Sequence, residues 1–227
     1  MFELVVMDMA GTTIDEHGDV YRALRTAVEE TGAEVTADNL QRWMGADKVE
    51  AIDALLRLGG IEASDALVRQ QFDRFRELLA ELYAQNPPVA LEGVEKALRE
   101  LASRGLKIAL TTGFSADVAE PILRGLGWRV GEGELLDAVV TSDEVAAGRP
   151  APYMIHRAME RTGVQDVRSV ISVGDTIVDV LSAHRAGAHP VAVLTGALAE
   201  EDFAGYPTRW ILDGVRSLPQ LLTAERV

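Results

Sequence analysis

The chain has 227 residues, 48% hydrophobic and 26% charged, which suits one generous soluble domain or a core domain with a smaller insert. A formal net charge of −14 with no run of basic residues excludes a general affinity for nucleic acid or anionic membrane surfaces, so an anionic substrate needs a locally positive site. The absence of cysteine excludes disulfides, a thiol nucleophile and thiolate metal sites, and no apolar run approaches the roughly 18 residues that span a bilayer; a cytoplasmic location is the expectation.

The first apolar run, Glu3–Met7, reads as a buried central strand and not as a signal peptide, because it is short and lacks a basic leader. It stops at Asp8, and Gly11 breaks the pattern. From about residue 17 to 88 the pattern is helical. Tyr21, Leu24, Ala27 and Val28 mark one amphipathic helix, and Val49, Ile52, Leu55 and Leu56 a second. Leu67, Val68, Phe72, Phe75, Leu78, Leu79 and Leu82 mark a third, opened by Ser64 as N-cap. This stretch closes at Asn86-Pro87-Pro88. Beyond it, helices at Val94–Ala102, Ala116–Leu126, Pro152–Thr162 and Thr176–Ala186 alternate with strands at Leu106–Thr111, Ala138–Thr141, Val170–Val173 and Pro190–Leu194. Strands alternating with helices imply βαβ units, hence an α/β doubly wound parallel sheet with its chemistry at the carboxyl ends of the strands. The expected division is a core of residues 1–16 and 89–227 with a helical insert at 17–88.

Four segments carry the candidate chemistry, each at or just past a strand end. Asp8-Met9-Ala10-Gly11-Thr12-Thr13 sets a carboxylate beside a glycine turn whose free amides could hold phosphate-type oxygens. Thr111-Thr112-Gly113 offers hydroxyls and amides, and Gly148-Arg149-Pro150 a cation in a loop. Gly174-Asp175 through Asp179 supplies two acids spaced i, i+4, which share a face if a helix starts near Asp175. Oxygen ligands at strand tips suit Mg²⁺. Taken singly, each has an ordinary reading: an acid opening a turn, a strand-to-helix connection, a surface arginine, an acid at a helix N-terminus. The four histidines, His17, His156, His184 and His189, lack metal-site spacing, and Trp43, Trp128 and Trp210 read as packing residues, with Trp43 adjacent to the insert's loop. No Gly-x-Ser-x-Gly elbow or Walker loop occurs.

Together, in this order, the four segments resemble the haloacid dehalogenase superfamily of hydrolases over nearly the whole chain, including a helical cap domain of the C1 type inserted after the first strand of a Rossmann-like core. The resemblance implies that Asp8 attacks phosphorus to form an aspartyl-phosphate. It also implies that Mg²⁺ binds Asp8, the Ala10 carbonyl and Asp175, with Asp179 supporting the metal shell. Thr111 would hold a phosphoryl oxygen and Arg149 would orient Asp8, with Gly11, Thr12, Thr112 and Gly113 lining the phosphate site. A homodimer paired through the caps is compatible with the family.

One departure narrows the substrate. Most phosphatases of this superfamily have a second Asp two residues after the nucleophile to protonate the leaving alkoxide; here that residue is Ala10. Loss of such an acid costs about 10²–10⁴-fold on an ordinary ester. The phosphonoacetaldehyde hydrolase (phosphonatase) branch has the same Ala and an Arg where relatives have Lys, which Arg149 matches. In that branch a cap lysine in a Met-Gly-x-x-Lys stretch forms a Schiff base with the substrate aldehyde, and Met44-Gly45-Ala46-Asp47-Lys48 has that spacing. Asp47 and Glu50 would favour the charged amine if close, whereas a helix N-terminus at Lys48 would favour the neutral one. The branch's nearby His, Cys and aromatic hydroxyl are replaced by Ala51, Gly18 and Phe114. Two substrate classes therefore stay open: a small carbonyl phosphonate with Lys48 as the imine-forming residue, or a phosphate monoester with Lys48 as an anion-binding residue. A dehalogenase is disfavoured by Asp175 and Gly11-Thr12, and a non-enzymatic binding module by the presence of Asp8, Thr111, Arg149, Asp175 and Asp179 together.

Overall fold

A computed structural model describes residues 2–43 and 45–224. The elements are β1 (Leu4–Asp8), β2 (Ile14–Asp15), α1 (Asp19–Glu29), α2 (Ala37–Arg42), α3 (Lys48–Leu58), α4 (Asp65–Gln85), β3 (Val89–Ala90), α5 (Val94–Ser103), β4 (Lys107–Thr111), α6 (Ala116–Gly125), β5 (Ala138–Val140), α7 (Tyr153–Thr162), β6 (Val170–Gly174), α8 (Ile177–Ala186), β7 (His189–Val193), β8 (Trp210–Leu212) and α9 (Leu218–Ala224). Six parallel strands form one sheet in the order β5-β4-β1-β6-β7-β8. The apolar runs are near-continuous because both faces of the sheet are covered. Along β1, Val5 and Met7 join one core cluster with Leu98 and Leu101 of α5, while Leu4 and Val6 join another with Met154, Ile155 and Ala158 of α7 and Ala183 of α8. The period of two thus splits one strand between two layers.

Every strand and helix expected from periodicity is present, with ends shifted by a residue or so. β1 extends through Asp8, whose backbone still pairs in register with Thr111. Short elements escaped the pattern. Helix α2 buries none of its residues, so it has no apolar stripe, and it is marked only by the Thr36 cap accepting the Asn39 N–H. Edge strand β8 is three half-buried residues.

The chain leaves the sheet after β1 and returns through a two-stranded antiparallel ribbon, Ile14 opposite Ala90 and Asp15 opposite Val89. The Leu91 N–H donates to the Thr13 carbonyl at 3.1 Å, and the His17 ring lies 3.3 Å from the Pro87 carbonyl. Exit and return are therefore tied together just beyond Asp8. Between them, α1, α3 and α4 pack on one another through Leu24, Ala27 and Val28, Ile52, Leu55 and Leu56, and Val68, Phe75 and Leu79. Among the described residues no helix is long and apolar enough to cross a membrane.

Phe75 is 1% exposed at the centre of this helical packing, whereas Leu58 at the end of α3 is 53% exposed. Phe75→Ala is expected to lower stability by about 3–5 kcal/mol in urea unfolding, and Leu58→Ala by less than about 0.5 kcal/mol. Equal effects at the two positions would contradict the packing described.

Candidate active site

Strand order reverses at β1. The chain steps outward through β4 and β5 and then crosses back to β6, so the crevice beyond the carboxyl ends of β1 and β6 is the topological switch point. Asp8 closes β1 there, and Asp175 follows the last residue of β6. Asp179 reaches the same place by a different route from the expected shared helix face. Helix α8 begins at Ile177 with Thr176 as N-cap, and Asp179 folds back as the acid of a capping box. Its Oδ2 accepts the Thr176 N–H at 3.1 Å and the Thr176 hydroxyl. The three carboxylates offer oxygens all within 4.8 Å of one another, each buried.

Arg149 spans two of them. One Nη donates to Asp8 Oδ1 at 2.6 Å and the other to Asp179 Oδ1, with the guanidinium only 3% exposed. One cation against three buried acids leaves excess negative charge. Burial pushes Asp8 up to about 6; Arg149 opposes the rise and Asp179 adds to it. Asp175 is held well above the usual carboxylate range by burial, then by Asp8 and Asp179. Such an all-oxygen cluster can hold a hard divalent cation.

From Gly11 to Ile14 the turn after Asp8 differs from the expected cradle of free amides. The N–H groups of Thr12, Thr13 and Ile14 all point at the Met9 carbonyl, and that of Gly11 at the Ile14 carbonyl. The Thr12 hydroxyl donates to Asp175 Oδ1 at 2.7 Å, and the Thr13 hydroxyl to the Asp8 carbonyl at 2.9 Å. Gly11 and Thr12 therefore shape Asp175. Gly11 has φ +83, and a Cβ there would sit 2.4 Å from Asp175 Oδ2. A loop unremarked in the sequence supports the other side. The Thr195 hydroxyl donates to the Gly11 carbonyl at 2.6 Å, and a Cβ on Gly196 would lie 2.0 Å from Asp175 Oδ2. Its one legible signal was a Thr-Gly pair directly after the run Pro190–Leu194.

Thr111 lies beside Asp8 in the β1–β4 ladder and is buried. The Thr112 N–H bonds the Val140 carbonyl and its hydroxyl accepts the Phe114 N–H at 3.1 Å. Gly113 meets the helical insert: a Cβ there would be 3.0 Å from the Ala46 carbonyl. Gly148 comes within 3.3 Å of Asp47 by the same measure, and Gly45 within 2.6 Å of the Thr176 hydroxyl. The loop Gly45–Asp47 is thus seated on three core loops at once. Met44 lies outside the described residues.

Lys48 is the first residue of α3, and Asp47 caps the helix by accepting the Val49 and Glu50 N–H groups. The Lys48 side chain is buried, with Nζ donating to the Ala46 carbonyl at 2.6 Å. Burial, then Arg149, pushes its pKa down to about 8 against the opposing pull of Asp47, Asp8 and Glu16. The Gly45 N–H is also committed, donating to the Tyr21 hydroxyl at 3.1 Å. Tyr21, read from the sequence only as an apolar marker of α1, therefore touches the same loop. Of the residues set aside, His17, His156 and His189 each lie against a backbone carbonyl, Trp43 and Trp210 pack on the core, and Trp128 donates to Glu95.

A family model for haloacid dehalogenase-like hydrolases matches residues 2–187. The chain belongs to that family. Within it, the sequence is 30% identical over 217 residues to a phosphonoacetaldehyde hydrolase of Bacillus cereus, covering 88% of this chain and 80% of the relative. It is 31% identical over 223 residues to one of Parabacteroides distasonis, covering 89% and 81%. The chain thus falls in the phosphonatase-like branch. The fold is shared with a hydrolase from Pseudomonas syringae, at TM-score 0.87 and 22% identity, covering 98% of each chain. It is also shared with a phosphonoacetaldehyde hydrolase-like protein from Oleispira antarctica, at TM-score 0.81 and 23% identity, covering 98% of this chain and 92% of that one.

Gly196→Ala is expected to displace Asp175 and lower hydrolytic activity at least about 10²-fold with circular dichroism unchanged. Gly125→Ala, where a Cβ meets nothing within 4 Å, is the control and should retain activity. Full activity in Gly196→Ala would show that this contact does not position Asp175.

Proposed function

We propose that this hydrolase is a magnesium-dependent phosphonatase that cleaves the carbon–phosphorus bond of a small carbonyl phosphonate such as phosphonoacetaldehyde, with residues 17–88 acting as its cap domain. The observation that carries the reading is Lys48: a buried amine with a depressed pKa, under the influence of both Arg149 and Asp8, in a site where Ala10 offers no acid.

The donor set fits magnesium, because buried carboxylates outnumber the one guanidinium that pairs with them and all the candidate ligand atoms are oxygens. Asp8, the Ala10 carbonyl and Asp175 would hold the ion, with Asp179 behind them. When bound, it supplies the positive charge that lets a carboxylate approach an anionic phosphoryl group. Thr111 together with Thr112 and Gly113 would take phosphoryl oxygens, and Arg149 aims Asp8.

The reaction then runs on this chain's own side chains. The Lys48 amine condenses with the aldehyde carbonyl, releasing water and leaving an iminium. An Asp8 oxygen attacks phosphorus while the carbon–phosphorus bonding pair moves into the iminium, giving an enamine. Water hydrolyses the aspartyl-phosphate to phosphate and free Asp8. The enamine takes a proton on carbon, and hydrolysis of the resulting iminium returns the aldehyde and Lys48. No leaving alkoxide forms, so Ala10 costs nothing.

A second reading is hydrolysis of a phosphate monoester with Lys48 as an ammonium that binds the substrate anion. Its support is the 2.6 Å bond from Nζ to the Ala46 carbonyl, which holds a charged amine well.

Borohydride with phosphonoacetaldehyde is expected to inactivate the enzyme and leave a reduced adduct on Lys48 by mass spectrometry. Lys48→Ala should abolish phosphate release from the aldehyde. An absent adduct alongside fast turnover of a phosphate ester would establish the second reading.

The pH profile offers an independent check. Lowering the Lys48 pKa from 10.5 to about 8 raises the neutral fraction near pH 7 by roughly 300-fold. Because only the neutral amine attacks, kcat/KM on the carbonyl substrate should climb with pH and level off above about 8. A limb that instead falls across this window would assign the charged amine to catalysis.

Chelation should remove activity and lower the melting temperature, and added Mg²⁺ should restore both. Saturating the site at about 100 times its dissociation constant corresponds to about 2.7 kcal/mol of stability. Asp175→Asn should lose the stabilisation by Mg²⁺ while remaining folded.

A further inference from the structure

The loops around Asp8 and Asp175 are rich in hydroxyls, but most of their protons are already placed. Thr12 donates to Asp175, Thr13 to the Asp8 carbonyl, Thr176 to Asp179 and Thr195 to the Gly11 carbonyl. On the core side, this leaves Thr111 and Thr112 beside the nucleophile. On the side of the helical insert it leaves Tyr21. Its phenolic oxygen accepts the Gly45 N–H at 3.1 Å, and among the described residues no acceptor takes its proton.

The position of Tyr21 is fixed from both directions. It stands in the first turn of α1, close to where the chain leaves the sheet, and its partner Gly45 is wedged against Thr176. Gly45 also begins the three-residue lead-in to Lys48. The phenol therefore shares one loop with the amine and lies within electrostatic reach of Asp175 and Asp8. Burial favours its neutral, proton-bearing form.

The chemistry of the proposed reaction needs a donor here. When the Lys48 lone pair adds to the carbonyl carbon, the π pair of the carbonyl moves onto oxygen. Lys48 cannot both supply that lone pair and stabilise the oxygen. Both Nη groups of Arg149 are occupied by Asp8 and Asp179, which leaves only its buried Nε without a partner, while Ala10, Ala51 and Phe114 have no side-chain donor. A neutral hydroxyl held on the lysine's own loop meets the need without adding charge beside the amine.

We propose that the Tyr21 hydroxyl donates a hydrogen bond to the carbonyl oxygen of the substrate's organic portion, making Tyr21 a catalytic and specificity-determining residue on the insert side of the site. The assignment rests on the carbonyl-phosphonate reading given above.

The test compares wild type and Tyr21→Phe on phosphonoacetaldehyde and on p-nitrophenyl phosphate, whose leaving group needs neither a proton nor a carbonyl contact. Tyr21→Phe is expected to lower kcat/KM on the aldehyde about 10- to 100-fold, the size of one hydrogen bond to developing charge. Turnover of the aryl phosphate should change by less than about threefold. An equal loss on both substrates, or no loss on either, overturns the assignment while leaving the carbonyl-phosphonate reading intact. A wild type that releases no phosphate from the aldehyde overturns that reading and the assignment with it. If Tyr21→Phe fails to fold, 3,5-difluorotyrosine at position 21 keeps the ring and the Gly45 contact but ionises at lower pH. Aldehyde turnover should then decline toward alkaline pH earlier than in wild type, with the aryl phosphate profile unmoved; coincident profiles on the aldehyde overturn the assignment.

Discussion

The site depends on one buried guanidinium. Arg149 ties the tip of β1 to the first turn of α8 by bonding Asp8 on one side and Asp179 on the other. Removing one partner from such a buried pair leaves an uncompensated charge, typically at a cost of about 3–5 kcal/mol. Here the loss of Arg149 would strand two carboxylates beside a third. The contact therefore sets the position of Asp8 as well as its charge. It also places a positive group among the buried acids of a chain whose net charge is strongly negative.

Around this contact the architecture is built by exclusion of side chains. Gly11 and Gly196 pack directly against the Asp175 carboxylate, and Gly174 leaves no room for a Cβ beside Asp179. The threonines do the complementary work, aiming Asp175 through Thr12 and Asp179 through Thr176. The insert follows the same rule. Gly45, Gly113 and Gly148 let its loop sit backbone-to-loop on the core, which brings Lys48 close to the acids without a long reach. A site made this way resists adjustment, because Asp175 and Asp179 each have hydrogen-bonding groups on one side and a glycine backbone on the other.

Much of this was legible before the structure. Strands buried on two faces announce themselves as apolar runs; Asp8, Thr111 and Asp175 stand where those runs end, and Arg149 stands in the loop that leads from β5 to α7. The misses have physical causes. Free amides were expected around Gly11, but those of Gly11, Thr12, Thr13 and Ile14 close on the Ile14 and Met9 carbonyls, a matter of backbone geometry that residue identity does not encode. Asp179 arrived through a capping box and not through a helix face shared with Asp175. Gly196 and Thr195 contribute by close approach, which leaves no periodic trace. Tyr21 was hidden by its own amphipathic character, since the same residue marks an apolar helix face and carries a hydroxyl. The short helix α2 and strand β8 bury too little to leave a pattern.

Arg149 also links the two halves of the proposed chemistry. A carboxylate nucleophile must stay charged, whereas an imine-forming lysine must be partly neutral, and these demands conflict when the groups are neighbours. Asp8 alone would raise the Lys48 pKa, as Asp47 and Glu16 also do. Burial is the largest effect opposing that rise, and the nearby guanidinium is the next. The same cation acts to lower the pKa of Asp8 against its own burial. One fixed positive charge thus pushes both groups toward the protonation states that attack requires, the carboxylate ionised and the amine neutral. An arginine suits this position better than a lysine, because it keeps its charge when buried and can bond two carboxylates in a fixed plane.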